Sequence, residues 1–318
     1  MATEFELIAR YFSPRTTHTI LAGGDDAALV AVTPGMELVV STDMLVGGRH
    51  FFADADAYGV GWKSLAVNLS DMAAMGAHAR WVTLSLALPQ ADESWISAFM
   101  RGFLDLANAF DVDLIGGDTT QGPLNICVQI LGEVPTGQAL LRSGARPGDE
   151  VWVSGAVGDA ALALAHLRGE LELQPQESEY VRARLDRPTP RVGLGNALRG
   201  LASSAIDVSD GLLADAGHLA ERSGLRLVIQ WPAVPLSPVA QHYRDQPLLQ
   251  RCALAGGDDY ELCFTAALSR HGEMVELAAR LGLALTPIGC VEPGSGVTAV
   301  DAAGQALTLQ EQGFDHFL

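Results

Sequence analysis

Apolar positions along this chain fall into short runs and helical stripes, and several of the runs stop at an aspartate. The first stripe, Phe5, Ile8, Ala9 and Phe12, predicts an N-terminal docking helix opened by a capping box, with Thr3 as N-cap and Glu6 three residues on. Residues 37–40 read as a strand running straight into Ser41-Thr42-Asp43. Over 56–75 apolar residues wrap most of a helix. Trp62, Leu65, Leu69 and Met72 share one stripe, and Asp71 falls opposite, beside Val67, Ala74 and Met75. A helix apolar all round is a buried one, so an ionised Asp71 needs a metal or an arginine as partner. A strand over 81–88, a helix over 93–110 and a strand over 124–134 follow. Between the last two, the run Val112-Asp113-Leu114-Ile115 ends in Gly116-Gly117-Asp118-Thr119-Thr120.

The second half repeats this grammar. Val151-Trp152-Val153 enters the turn Ser154-Gly155-Ala156-Val157-Gly158-Asp159 and an alanine-rich helix to about Leu167. That turn could cradle an anion on backbone N–H groups or pack a strand against a helix; it lacks G-x-G-x-x-G spacing. Arg187-Pro188-Thr189-Pro190-Arg191 is a stiff connector before a helix to about Arg199. Ala205-Ile206 then leads into Asp207-Val208-Ser209-Asp210-Gly211 and a helix through His218, and Gly256-Gly257-Asp258-Asp259 precedes a further strand. Capping explains one of Asp207 and Asp210, not both. The Gly-Gly-Asp-Asp tetrad also occurs at 23–26. The reading is two related α/β domains, 1–137 and 138–318 with a joint around 135–147, whose acidic edges face each other across a cleft.

Composition narrows the chemistry. The chain has 318 residues, 48% of them hydrophobic, enough for two cores, and a formal net charge of −18 from 38 acidic and 20 basic residues. Nucleic acid and anionic membrane surfaces are excluded as main partners. No signal peptide or spanning stretch is evident, and the scattered Cys127, Cys252, Cys263 and Cys290 read as free thiols of a cytoplasmic protein. Lys63 is the only lysine.

Clustered carboxylates repel unless cations neutralise them, and Mg²⁺ could both do so and bind a polyphosphate. Phosphoryl transfer asks mainly for positioning and charge neutralisation, which suits a chain with no obvious nucleophile. Walker A and protein-kinase catalytic-loop signatures are missing. A metal-dependent phosphatase could use the same carboxylates, whereas a two-metal hydrolase would add histidines, and none here form an H-x-D or H-E-x-x-H pattern. A non-catalytic binding module would leave acidic tips along the whole chain unexplained.

Taken together, Gly24-Asp25-Asp26-Ala27-Ala28, Ser41-Thr42-Asp43, Asn68-Leu69-Ser70-Asp71-Met72-Ala73-Ala74-Met75-Gly76, Gly116-Gly117-Asp118-Thr119-Thr120, Asp207-Val208-Ser209-Asp210-Gly211 and Gly313-Phe314-Asp315-His316-Phe317 resemble the bacterial thiamine-monophosphate kinases over essentially the full length. Their superfamily includes aminoimidazole ribonucleotide synthetase, which is the competing assignment. Selenophosphate synthetase needs a reactive cysteine or selenocysteine near the N-terminus, whereas the first cysteine here is Cys127, and the hydrogenase maturation protein ends in cysteine, whereas this sequence ends Phe317-Leu318.

The resemblance implies direct in-line transfer of the ATP γ-phosphate to thiamine monophosphate, giving thiamine pyrophosphate, by a homodimer joined through its N-terminal domains. It also implies Mg²⁺ on Asp26, Thr42, Asp43, Asp71, Asp118, Asp207 and Asp210, with Ser41 contributing its backbone, and leaves a monovalent cation such as K⁺ open. Gly117, Asp118, Arg142 and Ser209 would contact ATP, Asp210 and Arg142 acting in the transfer itself. His50, Asp258 and Phe314 would contact thiamine monophosphate. The family commonly has glutamate where Asp258 stands, and Trp or Tyr where Phe314 does.

Overall fold

The computed structural model describes residues 4–309 and 313. The capping residue Thr3 and the aromatic Phe314 lie outside the described residues. The chain forms two compact units, one from the chain up to Met72 with Ala77–Gly137, the other from Ala73–Gly76 and the chain from Gln138 onward.

The first unit contains α1 (Glu4–Tyr11), β1 (Met36–Val46), α2 (Ala57–Ala74), β2 (His78–Leu88), α3 (Glu93–Ala109), β3 (Asp113–Gln121) and β4 (Asn125–Pro135). Its sheet has the order β1-β4-β2-β3, antiparallel except for β2 and β3, which α3 joins as a parallel crossover. One face is apolar: Leu84 and Leu86 of β2 and Val128 of β4 are buried, and Met72 of α2 reaches the β4 backbone at Gly132. The opposite face is open. Alternation along β1 puts Leu38, Val40 and Met44 there, 43%, 52% and 53% exposed.

Helix α2 is buried nearly all round, as its composition predicts. From Lys63 to Ala74 every residue is buried except Asp71. Asp92 caps α3, its carboxylate accepting the Ser94 and Trp95 N–H groups at 2.9 and 3.2 Å.

The second unit contains β5 (Asp149–Ser154), α4 (Asp159–Leu167), α5 (Pro175–Asp186), α6 (Val192–Leu198), β6 (Ser204–Asp207), α7 (Leu212–Ser223), β7 (Arg226–Gln230), α8 (Pro238–Gln241), α9 (Pro247–Ala255), β8 (Leu262–Ala267), α10 (His271–Leu281), β9 (Leu285–Glu292) and β10 (Gly296–Val300). The sheet order is β10-β7-β9-β5-β8-β6. Val151, Val153, Ile206, Leu227 and Ile229 from its strands pack against Leu212, Ala216 and Leu219 of α7 and Leu254 of α9.

The two sheets differ in strand number and order, so the two Gly-Gly-Asp-Asp tetrads occupy unlike settings. Asp26 lies on an exposed bend, whereas its counterpart Asp259 is buried. Cys252 and Cys263 are buried free thiols, and Cys127 and Cys290 are half-buried. No helix among the described residues is long and apolar enough to cross a membrane.

Candidate active site

In the first unit Ser41-Thr42-Asp43 and Gly116-Gly117-Asp118 lie within strands rather than at their tips. β1 pairs with β4 all the way to Val46, so Ser41, Thr42 and Asp43 are interior strand residues. The two-residue period then separates them. Ser41 and Asp43 point to the face that α2 covers, where the Ser41 hydroxyl donates to the Asp71 carboxylate. Asp71 is the one position of that buried helical stretch that reaches the surface, and a hydroxyl partners it where an arginine was the alternative expectation. Thr42 belongs to the open face.

β3 likewise continues through Gly116-Gly117-Asp118 to Gln121. Its register against β2 shifts, pairing Leu114 with Val82 and Gly116 with Thr83, so Ile115 is an inserted residue. Beyond this bulge Gly117 pairs with Leu84 and Asp118 with Ser85. A Cβ on Gly117 would stand 1.8 Å from the Leu84 carbonyl oxygen, whereas one on Gly116 would meet nothing within 4 Å. The neighbouring strand therefore leaves no room for a side chain at Gly117. Asp118 is exposed, one of its oxygens accepting the Thr119 N–H at 2.9 Å. His50 is half-buried on the loop after β1. Its Nδ1 accepts the Val46 N–H at 2.8 Å, which fixes the ring and places the proton of a neutral imidazole on Nε2.

In the second unit the sheet order assembles the site. β8 runs antiparallel to both neighbours, with Val153 opposite Cys263 and Asp207 opposite Leu262. The turn after β5, the loop after β6 and the loop before β8 therefore meet at one end of the sheet. The last two are joined through their backbones. Asp258 N–H donates to the Ser209 carbonyl, Tyr260 N–H to Val208, and Val208 N–H to Glu261, each at 2.8 Å. Gly257 permits this approach, since a Cβ there would lie 2.3 Å from the Ser209 oxygen. Asp258 and Tyr260 both adopt left-handed backbone, φ +69° and +50°. Such strain, about 1–3 kcal/mol for each residue, persists only where surrounding bonds over-determine it. The Tyr260 hydroxyl also donates to the Asp258 carboxylate at 3.0 Å.

Buried carboxylates hold these loops from behind. Asp215 of α7, 2% exposed, accepts the N–H groups of Ser209, Asp210 and Gly211 on one oxygen at 3.0, 3.0 and 3.1 Å. Burial, with the neighbouring Asp210 charge, pushes its carboxyl up to about 7. Both oxygens of Asp259 accept the Gly158 N–H at 2.9 Å, so of the two readings of this turn, anion cradle or strand-to-helix packing, the first has its Gly158 donor taken by the chain's own side chain. Burial, beside Asp159 and Glu261, holds Asp259 well above the usual carboxylate range. Glu261 is fully buried and accepts from Ser154 at 2.6 Å, Arg184 at 2.9 Å and the Arg191 fork, whose Nε lies at 2.6 Å. Burial works against the Arg191 charge, but the Glu261 carboxylate outweighs it and holds the guanidinium above its ordinary value.

Asp207 is buried at the end of β6, Ser209 and Asp210 are half-buried, and Arg142 is exposed, its carbonyl accepting the Ser223 hydroxyl at 3.4 Å. Among the described residues, no three His, Cys, Asp or Glu side chains converge closely enough to hold a metal ion by themselves. Sequence reading passed over Asp215, although the signal was present: it shares the apolar stripe of α7 with Leu212, Ala216 and Leu219, so its burial was legible. Glu261, Arg184 and Arg191 gave no such signal, because their partners lie 70 residues or more away along the chain.

Residues 24–134 match the model of the AIR synthase related protein, N-terminal domain. Thiamine-monophosphate kinase of Escherichia coli (strain K12) is 43% identical over 318 residues, covering 99% of this chain and 98% of the relative. The crystal structure of thiamine-monophosphate kinase from Stenotrophomonas maltophilia K279a superimposes with a TM-score of 0.86 at 47% identity, covering 91% of this chain and 92% of that one. AaThiL complexed with AMPPCP and TMP superimposes at 0.79 with 33% identity, covering 92% of this chain and 91% of the other. With this likeness along its length, the chain belongs to the thiamine-monophosphate kinase family of phosphotransferases.

Proposed function

We propose that this chain transfers the γ-phosphate of ATP to thiamine monophosphate, giving thiamine pyrophosphate and ADP with the help of several Mg²⁺ ions. The observation that carries this reading is that each unit by itself presents oxygen donors, Asp43 and Asp71 beside Ser41 in the first and the Asp207–Gly211 loop in the second. A polyphosphate can approach these carboxylates only if cations stand between. Hard oxygen donors suit Mg²⁺, which keeps several waters and binds through one or two carboxylates plus substrate phosphates. The complex of AaThiL with AMPPCP and TMP supports the same pair of substrates.

In this reading Asp26, Thr42, Asp43, Asp71, Asp118, Asp207 and Asp210, with the Ser41 carbonyl, hold the metal. Bound there, Mg²⁺ neutralises the phosphate charge. Gly117, Asp118, Arg142 and Ser209 contact ATP, with Arg142 and Asp210 against the transferred group. His50, Asp258 and Phe314 position thiamine monophosphate. A phosphate oxygen of the acceptor attacks the γ-phosphorus in line and forms the new O–P bond. The bond to the β,γ-bridging oxygen breaks and its electron pair leaves on ADP, without a phosphoenzyme.

The purified protein should form thiamine pyrophosphate and ADP from the two substrates with Mg²⁺, and lose that activity with EDTA. No pyrophosphate at saturating metal would sink the kinase reading. Asp71→Asn should raise the Mg²⁺ needed for half-maximal rate by about 10-fold or more. An unaltered metal dependence would make Asp71 a structural partner of Ser41.

The open face of the first sheet supports a homodimer joined through the N-terminal units. Leu38, Val40 and Met44 line an apolar patch that a second copy would cover. Light scattering should give twice the chain mass, and Val40→Asp should lower it to one. A wild-type protein of single-chain mass overturns the dimer.

A further inference from the structure

We propose that Asp215 is a positioning residue, whose buried carboxylate fixes the Asp207–Gly211 loop so that Asp207 and Asp210 are preset for metal-bound phosphate before any ligand arrives. The proposal rests on the metal role assigned above to those two aspartates.

Backbone N–H groups at the start of a helix are ordinarily open to an anion. At the start of α7 those of Ser209, Asp210 and Gly211 all converge on Asp215 Oδ2, at 3.0–3.1 Å. The helix thus carries its own internal acceptor, and these three donors cannot also cradle a phosphate. The acceptors of the same loop are used as well, by the N–H groups of Asp258 and Tyr260 on the carbonyls of Ser209 and Val208. With donors and acceptors both committed, the loop has few ways to change shape. What it offers a nucleotide is side chains and, through them, cations.

The location of Asp215 strengthens the argument. It lies on the face of α7 that buries Leu212, Ala216 and Leu219, where an alanine or leucine would cost nothing in desolvation. A carboxylate in that stripe is explained by the three N–H groups in front of it.

Steady-state rates at varied Mg²⁺, with Mn²⁺ binding to the nucleotide-free protein followed by electron paramagnetic resonance, test this in Asp215→Asn and Asp210→Asn. Asp215→Asn keeps the shape but replaces the carboxyl that accepts three N–H groups with a weaker amide acceptor. Its half-saturating Mg²⁺ and its Mn²⁺ dissociation constant are expected to rise about 10-fold or more, while kcat at saturating Mg²⁺ changes by less than about 3-fold. A lower melting temperature and a smaller active fraction with unchanged metal dependence would show a helix cap only and overturn the proposal. Asp210→Asn separates the two levels. If it leaves the metal dependence unchanged, the metal reading of the loop falls and the proposal with it. If it shifts that dependence while Asp215→Asn does not, the proposal alone falls. Should Asp215→Asn not fold, Asp215→Glu, which moves the carboxyl by one methylene from the three N–H groups, carries the same readouts.

Discussion

Gly117→Ala should lose at least about 100-fold in kcat/KM, because a shift of about 1 Å at a positioned group is enough to do so. The new Cβ would be 1.8 Å from the Leu84 carbonyl oxygen, an overlap of backbone with no flexible side chain to yield. Relief requires β3 to move away from β2 over the pairs Thr83–Gly116 and Ser85–Asp118, which carries Asp118 with it. Stability should fall by about 2–4 kcal/mol, in the range of substitutions that strain a packed backbone. Gly116→Ala is the matched control. Its Cβ meets nothing within 4 Å, so urea unfolding should move by no more than about 0.5–1 kcal/mol. Equal behaviour of the two variants in unfolding and turnover would refute this account of the glycine pair.

Glu261→Ala should destabilise the second unit by about 3–5 kcal/mol, the usual effect of removing one partner from a buried ion pair. The carboxylate is fully buried and meets two guanidiniums and the Ser154 hydroxyl. Its removal leaves the charges of Arg184 and Arg191 facing each other. Surface pairs behave differently: Asp186, bonded to Arg182 at 3.1 Å with both side chains partly in water, should cost at most about 1 kcal/mol as Asp186→Ala. Equilibrium urea unfolding compares the two. Glu261 also ends the loop that carries Asp258 in a strained conformation. Losing the anchor should therefore raise the KM for thiamine monophosphate more than it lowers kcat. Unfolding of Glu261→Ala at the wild-type midpoint would show that the cluster contributes nothing net.

Helix α2 was legible because an all-round apolar helix is buried whatever it packs against, and Asp71 stood out as the exception. The full lengths of β1 and β3 were not. On β1 the outward positions Leu38, Val40 and Met44 are themselves apolar, which erases the alternation that marks a strand. In β3 two glycines look like a stop, and only the register against β2 shows that the strand runs on. Helix α5 buries just Val181 and Leu185, too little to leave a helical stripe. β9 lies inside its sheet yet contains Pro287, which sequence rules confine to edges. A register shift against β5 accommodates it, with Val151 opposite Gly289 and Trp152 opposite Pro287.

The sequence by itself determined the elements with strong local periodicity and the oxygen-rich motifs that name the chemistry, since burial period and residue type are local properties. Tertiary structure decided which of those motifs have fixed backbones, and what fixes them. Asp215 could be placed behind Ser209–Gly211 from local turn geometry. Asp259 on Gly158 and Glu261 on Arg191 could not, because the sheet order β5-β8-β6 brings together residues 70 to 101 positions apart, and strand pairing over such distances leaves no period in the chain.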